Sequence, residues 1–126
     1  MAERLRTAIR QLTDLGVRRL EHLELLLVLG RSPIRASVAD EVAAALSLPF
    51  TSVSDALEHL HKHQLLALPD PSRPRYRIAG RPELAVLAEI RAAHERDRVQ
   101  VMNLFFACNL DNLRSFAEAF RVRRKP

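Results

Sequence analysis

The chain has a single cysteine, Cys108, only three glycines and no tryptophan. One cysteine cannot close a disulfide within the chain, so the fold does not call for an oxidising compartment, and a reducing cytoplasm is the expected setting. So little glycine excludes collagen-like and flexible low-complexity chains. No apolar run approaches the ~20 residues of a membrane span. The opening Met1-Ala2-Glu3-Arg4-Leu5-Arg6 has no signal-peptide core, so the chain is expected neither to be exported nor to cross a membrane. Also missing are a Gly-rich phosphate loop, a metal-protease helix, a nucleophile elbow and a zinc-binding Cys/His set. A non-enzymatic protein without a cofactor is the expectation.

What remains is leucine, alanine and charge. Apolar residues make up 48% and charged residues 28% of 126 positions, the balance of one compact, helix-rich domain with a single core. The net charge of +5 admits a polyanionic partner, and its distribution is uneven. Residues 1–36, 64–81 and 110–126 each carry a net +3, whereas residues 37–63 carry −3 and residues 82–109 carry −1.

Leu5, Ile9, Leu12 and Leu15 recur at helical spacing and predict an amphipathic helix over 3–15. After Gly16, the leucine-rich run Val17–Leu29 predicts a helix apolar on nearly every side, central to the core and ended by Gly30. Ser37 is a candidate cap for a helix through Leu46, with Asp40 and Glu41 near its positive end. The turn Ser47-Leu48-Pro49 leads to a helix over Phe50–His63 with Val53, Leu57 and Leu60 inward. Two short helices joined this way form a helix-turn-helix. Residues 64–68 and 75–78 then predict a two-stranded hairpin around the proline-rich tip 69–74. Pro82 opens a helix toward residue 98, a further apolar segment covers Val99–Cys108, and Asp111–Phe120 is amphipathic.

The stretch Leu46-Ser47-Leu48-Pro49-Phe50-Thr51-Ser52-Val53-Ser54-Asp55-Ala56-Leu57, with Leu60 and Gln64-Leu65-Leu66 after it, resembles the recognition-helix region of bacterial winged helix-turn-helix regulators. One helix before the module and two or more after it resemble the MarR-type arrangement, whose outer helices dimerise. The resemblance covers roughly residues 18–80 and implies a mainly α fold: a winged helix-turn-helix with a two-stranded β wing and flanking N- and C-terminal helices. In this reading residues 1–126 form one domain, with 1–16 and 82–120 as dimerising helices and 121–126 as a basic tail. The implied function is transcriptional regulation by a dimer that reads duplex DNA. Pro49 stands where a capping Ser or Thr is commoner in these families, and Gln64 where Gly is usual.

Stepping about 100° per residue from the inward stripe puts Thr51, Asp55, Glu58 and Lys62 on the outer face of the recognition helix, with Ser52, Ser54 and His59 on its flanks. Thr and Ser can meet base edges or phosphates. The acids oppose a phosphate lattice and serve equally as solvated surface. Arg73, Arg75, Arg77 and Arg81 crowd into nine residues of the hairpin, where they can straddle phosphates or enter a minor groove. Charge on an exposed hairpin also blocks edge pairing. Arg31 and Arg35 can add phosphate contacts.

Leu87, Ile90, His94, Val101, Leu104 and Cys108 approach a heptad series if one helix runs through Asp97, and Leu110, Leu113, Phe116 and Phe120 offer another apolar face. These residues are the expected homodimer interface, with burial inside the same subunit the competing reading. His59 and His63, four apart, lack a third ligand in sequence, so no metal is expected. The alternative function is a winged-helix module that binds protein through its acidic helix and apolar outer helices.

Overall fold

The computed structural model describes residues 2–32, 35–70, 72 and 74–110. It is mainly helical with a small antiparallel sheet: α1 (Ala2–Leu15), α2 (Leu20–Leu29), β1 (Ser37–Val38), α3 (Ala39–Leu46), α4 (Phe50–Lys62), β2 (Leu66–Ala67), β3 (Arg75–Ile78), a 3-10 turn (Pro82–Ala85) and α5 (Val86–Arg96). Residues 98–110 are helical and are called α6.

Helix α2 is the hub, with Leu23, Leu25, Leu26, Leu27 and Leu29 all buried. Around it pack α3, α4 and α5, while α1 lies on α5. Ile9 and Leu12 of α1, Val53, Leu57 and Leu60 of α4, Ile90 of α5 and Val101 and Phe105 of α6 complete one continuous core. Each such side chain contributes about 1.5–3 kcal/mol on leaving water.

Three helices end in the same way, which sets the course of the chain. After α1, α3 and α4, the residue two or three positions past the helix end donates back to a carbonyl five residues earlier: Val17 to Leu12 at 3.1 Å, Leu48 to Ala43 at 3.1 Å and Leu65 to Leu60 at 2.9 Å. These are Schellman caps, and each pairs two apolar residues across the helix end. The left-handed residue is Gly16 in the first, Ser47 (φ 54°) in the second and Gln64 (φ 64°) in the third.

Four expectations change. The helix predicted from Val17 begins at Leu20, because the His22 ring turns back to accept from the backbone N–H groups of Arg18 and Arg19, at 3.3 and 3.1 Å. Ser37 does not cap α3: it lies in β1, where Ser37 pairs with Tyr76 and Val38 with Arg75. The two-stranded hairpin is therefore part of a three-stranded sheet in the order β1-β3-β2, with β3 central. The dimer-facing heptad series depended on one helix running through Asp97, and that condition is not met: the helix breaks there (φ −153°, ψ 88°), and the Asp97 carboxylate accepts from Gln100 N–H at 3.1 Å to start α6 afresh.

The break removes the heptad series as an intermolecular surface. Leu87, Ile90 and Val101 are 4% exposed or less inside the chain's own core, and Leu104 packs partly buried against it. His94 is half-buried with Nε2 3.6 Å from Glu24, whose carboxylate also meets Arg98 at 3.2 Å. Leu113, Phe116, Phe120 and the basic tail lie outside the described residues.

Candidate functional site

The exposed stripe of α4 runs as its periodicity predicts, with Thr51, Asp55, Glu58 and Lys62 all open to solvent. Pro49 stands at the N-cap with no side-chain hydrogen bond to the helix start. Phe50, the first helical residue, is 52% exposed, which gives this end of α4 an aromatic face beside Thr51. Ser52 and Ser54 are half-buried. With two carboxylates to one ammonium, the outer stripe is net acidic.

His59 belongs to a different neighbourhood from the outer face. Its Nε2 meets the Gly16 carbonyl at 2.7 Å, and its ring stacks on His22 with centroids 4.2 Å apart and planes 4° from parallel. His63 leans on the same ring at 4.4 Å. These rings fasten the α1–α2 turn to α4, and His59 is committed to that contact. Gly16 is required here twice over: its φ of 121° disfavours any other residue, and a Cβ would stand 2.7 Å from the His63 ring.

Burial, reinforced by the neighbouring His59, Arg19 and His63, drives the His22 pKa from the ordinary 6.5 down to about 4. His63 shifts in the same direction through partial desolvation, then through His59, Lys62 and Arg18. His22 and His63 are thus neutral at neutral pH. Parallel rings aim their nitrogen lone pairs side by side rather than at one point, so His22 and His59 cannot share an ion in this arrangement. Among the described residues no group of three His, Cys, Asp or Glu side chains is arranged to hold a metal. The stack borders an open hollow of about 370 Å³ lined also by Arg18, Arg19, Glu21, Ser52 and Asp55. His22 is the site residue that residue spacing did not reveal, since its stacking partner His59 lies 37 positions away on α4.

The cationic side chains gather on the sheet. Tyr76 and Ile78 of β3 turn toward the core, leaving Arg75 and Arg77 exposed together on the opposite face. Pairing with β1 brings the connector alongside, so Glu41 receives Arg35 at 2.8 Å and Arg75 at 3.7 Å. Two guanidinium groups over one carboxylate leave a net positive charge, and Arg77 adds a second. Arg31 and Arg35 share a hollow of about 300 Å³ with Ser32, Ser37 and Glu41. Arg81 is engaged elsewhere, binding Glu83 at 2.8 Å and the His63 carbonyl at 3.5 Å. It braces the end of α4 instead of extending the basic face. Arg73 lies outside the described residues, and Ser72 near the hairpin tip folds onto Asp70 through two bonds to Oδ1, at 3.0 and 2.6 Å. Those bonds hold the Asp70 carboxyl below its usual range.

No helix among the described residues is long and apolar enough to cross a membrane. Comparison with protein-family models, curated proteins and solved structures finds no match to this chain.

Proposed function

We propose that this chain is a winged helix-turn-helix transcriptional regulator that binds duplex DNA as a dimer, with α4 in the major groove and the β2–β3 hairpin as its wing. The order helix, strand, helix, three-residue turn, helix, hairpin over α2 to β3 supports the winged-helix reading. The observation that carries the DNA reading is the outward pair Arg75 and Arg77 on β3, extended by Arg35 through their shared neighbour Glu41. Guanidinium groups spaced along one strand can neutralise successive phosphates and release their counterions. Thr51 and Lys62 are then the α4 residues best suited to contact DNA, with Ser52 and Ser54 nearer the helix flank and Asp55 limited to accepting from a cytosine amine.

Fluorescence anisotropy with mixed-sequence duplex DNA at two salt concentrations tests the reading. Affinity is expected to fall steeply with salt, and replacing Arg75 and Arg77 together by alanine should reduce the log–log slope by about 2, near 0.9 per lost phosphate contact. Duplex binding that is absent, or equally steep without these arginines, would sink it.

The acidic stripe of α4 and exposed Phe50 favour a second reading, a winged-helix module that binds a protein carrying basic residues. Under it, Asp55→Lys with Glu58→Lys abolishes partner binding. Under the DNA reading, the same pair of substitutions strengthens duplex binding.

A further inference from the structure

Helix α4 begins with an aromatic ring that the core does not bury. Pro49 is its N-cap and Phe50 its first residue, 52% exposed. The apolar residues that commonly staple a helix start are the one before the cap and the fourth in the helix. Here these are Leu48 and Val53, and both pack into or against the core. Phe50 is left outside that pair. At 100° per residue it lies on the flank of α4 shared with Ser54 and His61, beside the outward stripe that opens with Thr51. The same flank leads to the sheet, where the His61 ring meets Tyr76 of β3 edge-on at 5.9 Å.

The rest of α4 narrows what such a ring can meet in a major groove. Residues 50–62 contain no Arg, Asn or Gln, the side chains that grip purines through paired hydrogen bonds, and the single lysine, Lys62, stands at the far end. The carboxylates of Asp55 and Glu58 are acceptors only. They are repelled by the guanine edge, which offers N7 and O6, and matched by the amine of cytosine. Phenylalanine has neither donor nor acceptor. The feature of the groove that an apolar ring complements is the C5 methyl of thymine. A place in the first turn suits that contact, because the N-terminal residues of a recognition helix are those that reach base edges.

We infer that Phe50 is a specificity residue of α4, reading the C5 methyl of a thymine in the bound duplex. This role rests on the DNA reading, with α4 in the major groove, and adds the base chemistry that the helix selects. Ring and carboxylate together favour a pyrimidine-rich strand, with thymine at Phe50 and cytosine toward Asp55. Asp55 lies five residues on, about 7.5 Å of helix rise or about two base steps, close enough for both contacts to fall within one site. Surroundings favour a methyl group over a protein as the occupant. Among the described residues the other strongly exposed large apolar side chains, Val99, Phe106 and Leu110, all belong to α6. On α4 the ring stands alone among hydroxyls and charges, a target the size of one methyl rather than the apolar patch that a protein partner buries.

Duplexes enriched by the full chain from a random-sequence pool test this, with each thymine replaced in turn by deoxyuridine, a change that removes the methyl alone. At one or more thymines the replacement should weaken binding about fourfold, the worth of one buried methyl. Phe50→Ala should bind the thymine duplex about as weakly as the parent chain binds the uracil one, and should no longer distinguish the two. Phe50→Leu, which keeps an apolar tip, should still distinguish them. Arg77→Ala should weaken both equally, since a phosphate contact is blind to the base. Half of the Phe50 ring is already in water, so circular dichroism should show the alanine variant folded. A duplex bound with steep salt dependence but indifferent to every uracil overturns the inference and leaves the DNA reading standing. So does a uracil penalty that survives Phe50→Ala. No duplex binding at all overturns both.

Discussion

His22 performs three tasks with one ring. Its Nδ1 accepts the two backbone N–H groups that precede α2, its face stacks on His59, and its burial keeps it neutral. A neutral ring is required by the first task, because an imidazolium has no acceptor to offer those N–H groups. The pKa of about 4 lies below the unfolded value of 6.5, so the folded state binds its proton more weakly than the unfolded one. The associated stability is complete above pH 6.5 and is lost as the pH falls toward 4. At ~1.4 kcal/mol per tenfold in proton affinity, the loss reaches at most about 3 kcal/mol. Urea midpoints should therefore drop between pH 7.5 and pH 5, above the range in which ordinary carboxylates titrate. His22→Gln retains an acceptor at the third helical position, where glutamine can reach back to the residue before the helix, and should flatten that slope. An unchanged slope in the variant would assign it to the other histidines. In the sequence His22 is one polar residue amid leucines. Its role depends on His59, and the spacing of residues along either helix contains no information about a contact between them.

Among the elements, the helices were legible because each carries its own period. Leu5, Ile9 and Leu12, or Val53, Leu57 and Leu60, mark a face whatever lies opposite. The hairpin was legible from its proline-rich tip and the alternation of Arg75, Tyr76, Arg77 and Ile78. Strand β1 was not, since two residues cannot show a period and Ser37 is a better cap than strand residue when judged alone. It exists because β3 offers a free edge to it. The basic face was likewise only half readable: the alternation put Arg75 and Arg77 together, but the approach of Arg75 to the carboxylate that holds Arg35 depends on the pairing of β1 with β3, and the engagement of Arg81 by the His63 carbonyl depends on the end of α4. The junction of α5 and α6 depends on a single residue. Asp97 leaves the helical region and its carboxylate caps the next helix through Gln100, while the turn directs Val101 and Phe105 back into the core. Asp97→Ala should cost about 1 kcal/mol by loss of the cap. Asp97→Asn, which keeps the acceptor, should cost much less. Denaturant unfolding of the two variants separates a capping role from a purely electrostatic one, under which both would be equally damaging.

For the whole molecule, the division between what the chain buries for itself and what it leaves open runs through two adjacent residues. Phe105 is 1% exposed and Phe106 is 51% exposed, with their rings 5.9 Å apart and tilted by 61°. Composition and periodicity treat this pair as equivalent, which is why a stripe through Leu87, Ile90 and Val101 could be read from the sequence as a surface for another chain. Only the break at Asp97 decides that the stripe turns inward and that Val99 and Phe106 turn out. The two phenylalanines should then respond differently to the same substitution. Phe105→Ala opens a cavity in the single core and should cost about 3–5 kcal/mol at every protein concentration. Phe106→Ala removes nothing from that core, so in the proposed dimer its effect should be confined to the part of the stability that grows with protein concentration, as mass action requires of a state stabilised by association. Thermal unfolding at low and high protein concentration distinguishes them: the midpoint of Phe105→Ala should be depressed at both, whereas that of Phe106→Ala should match the parent chain when dilute and fall behind it as concentration rises. A Phe106→Ala chain that is as unstable as Phe105→Ala in dilute solution would mean that both faces of α6 serve the fold of one chain.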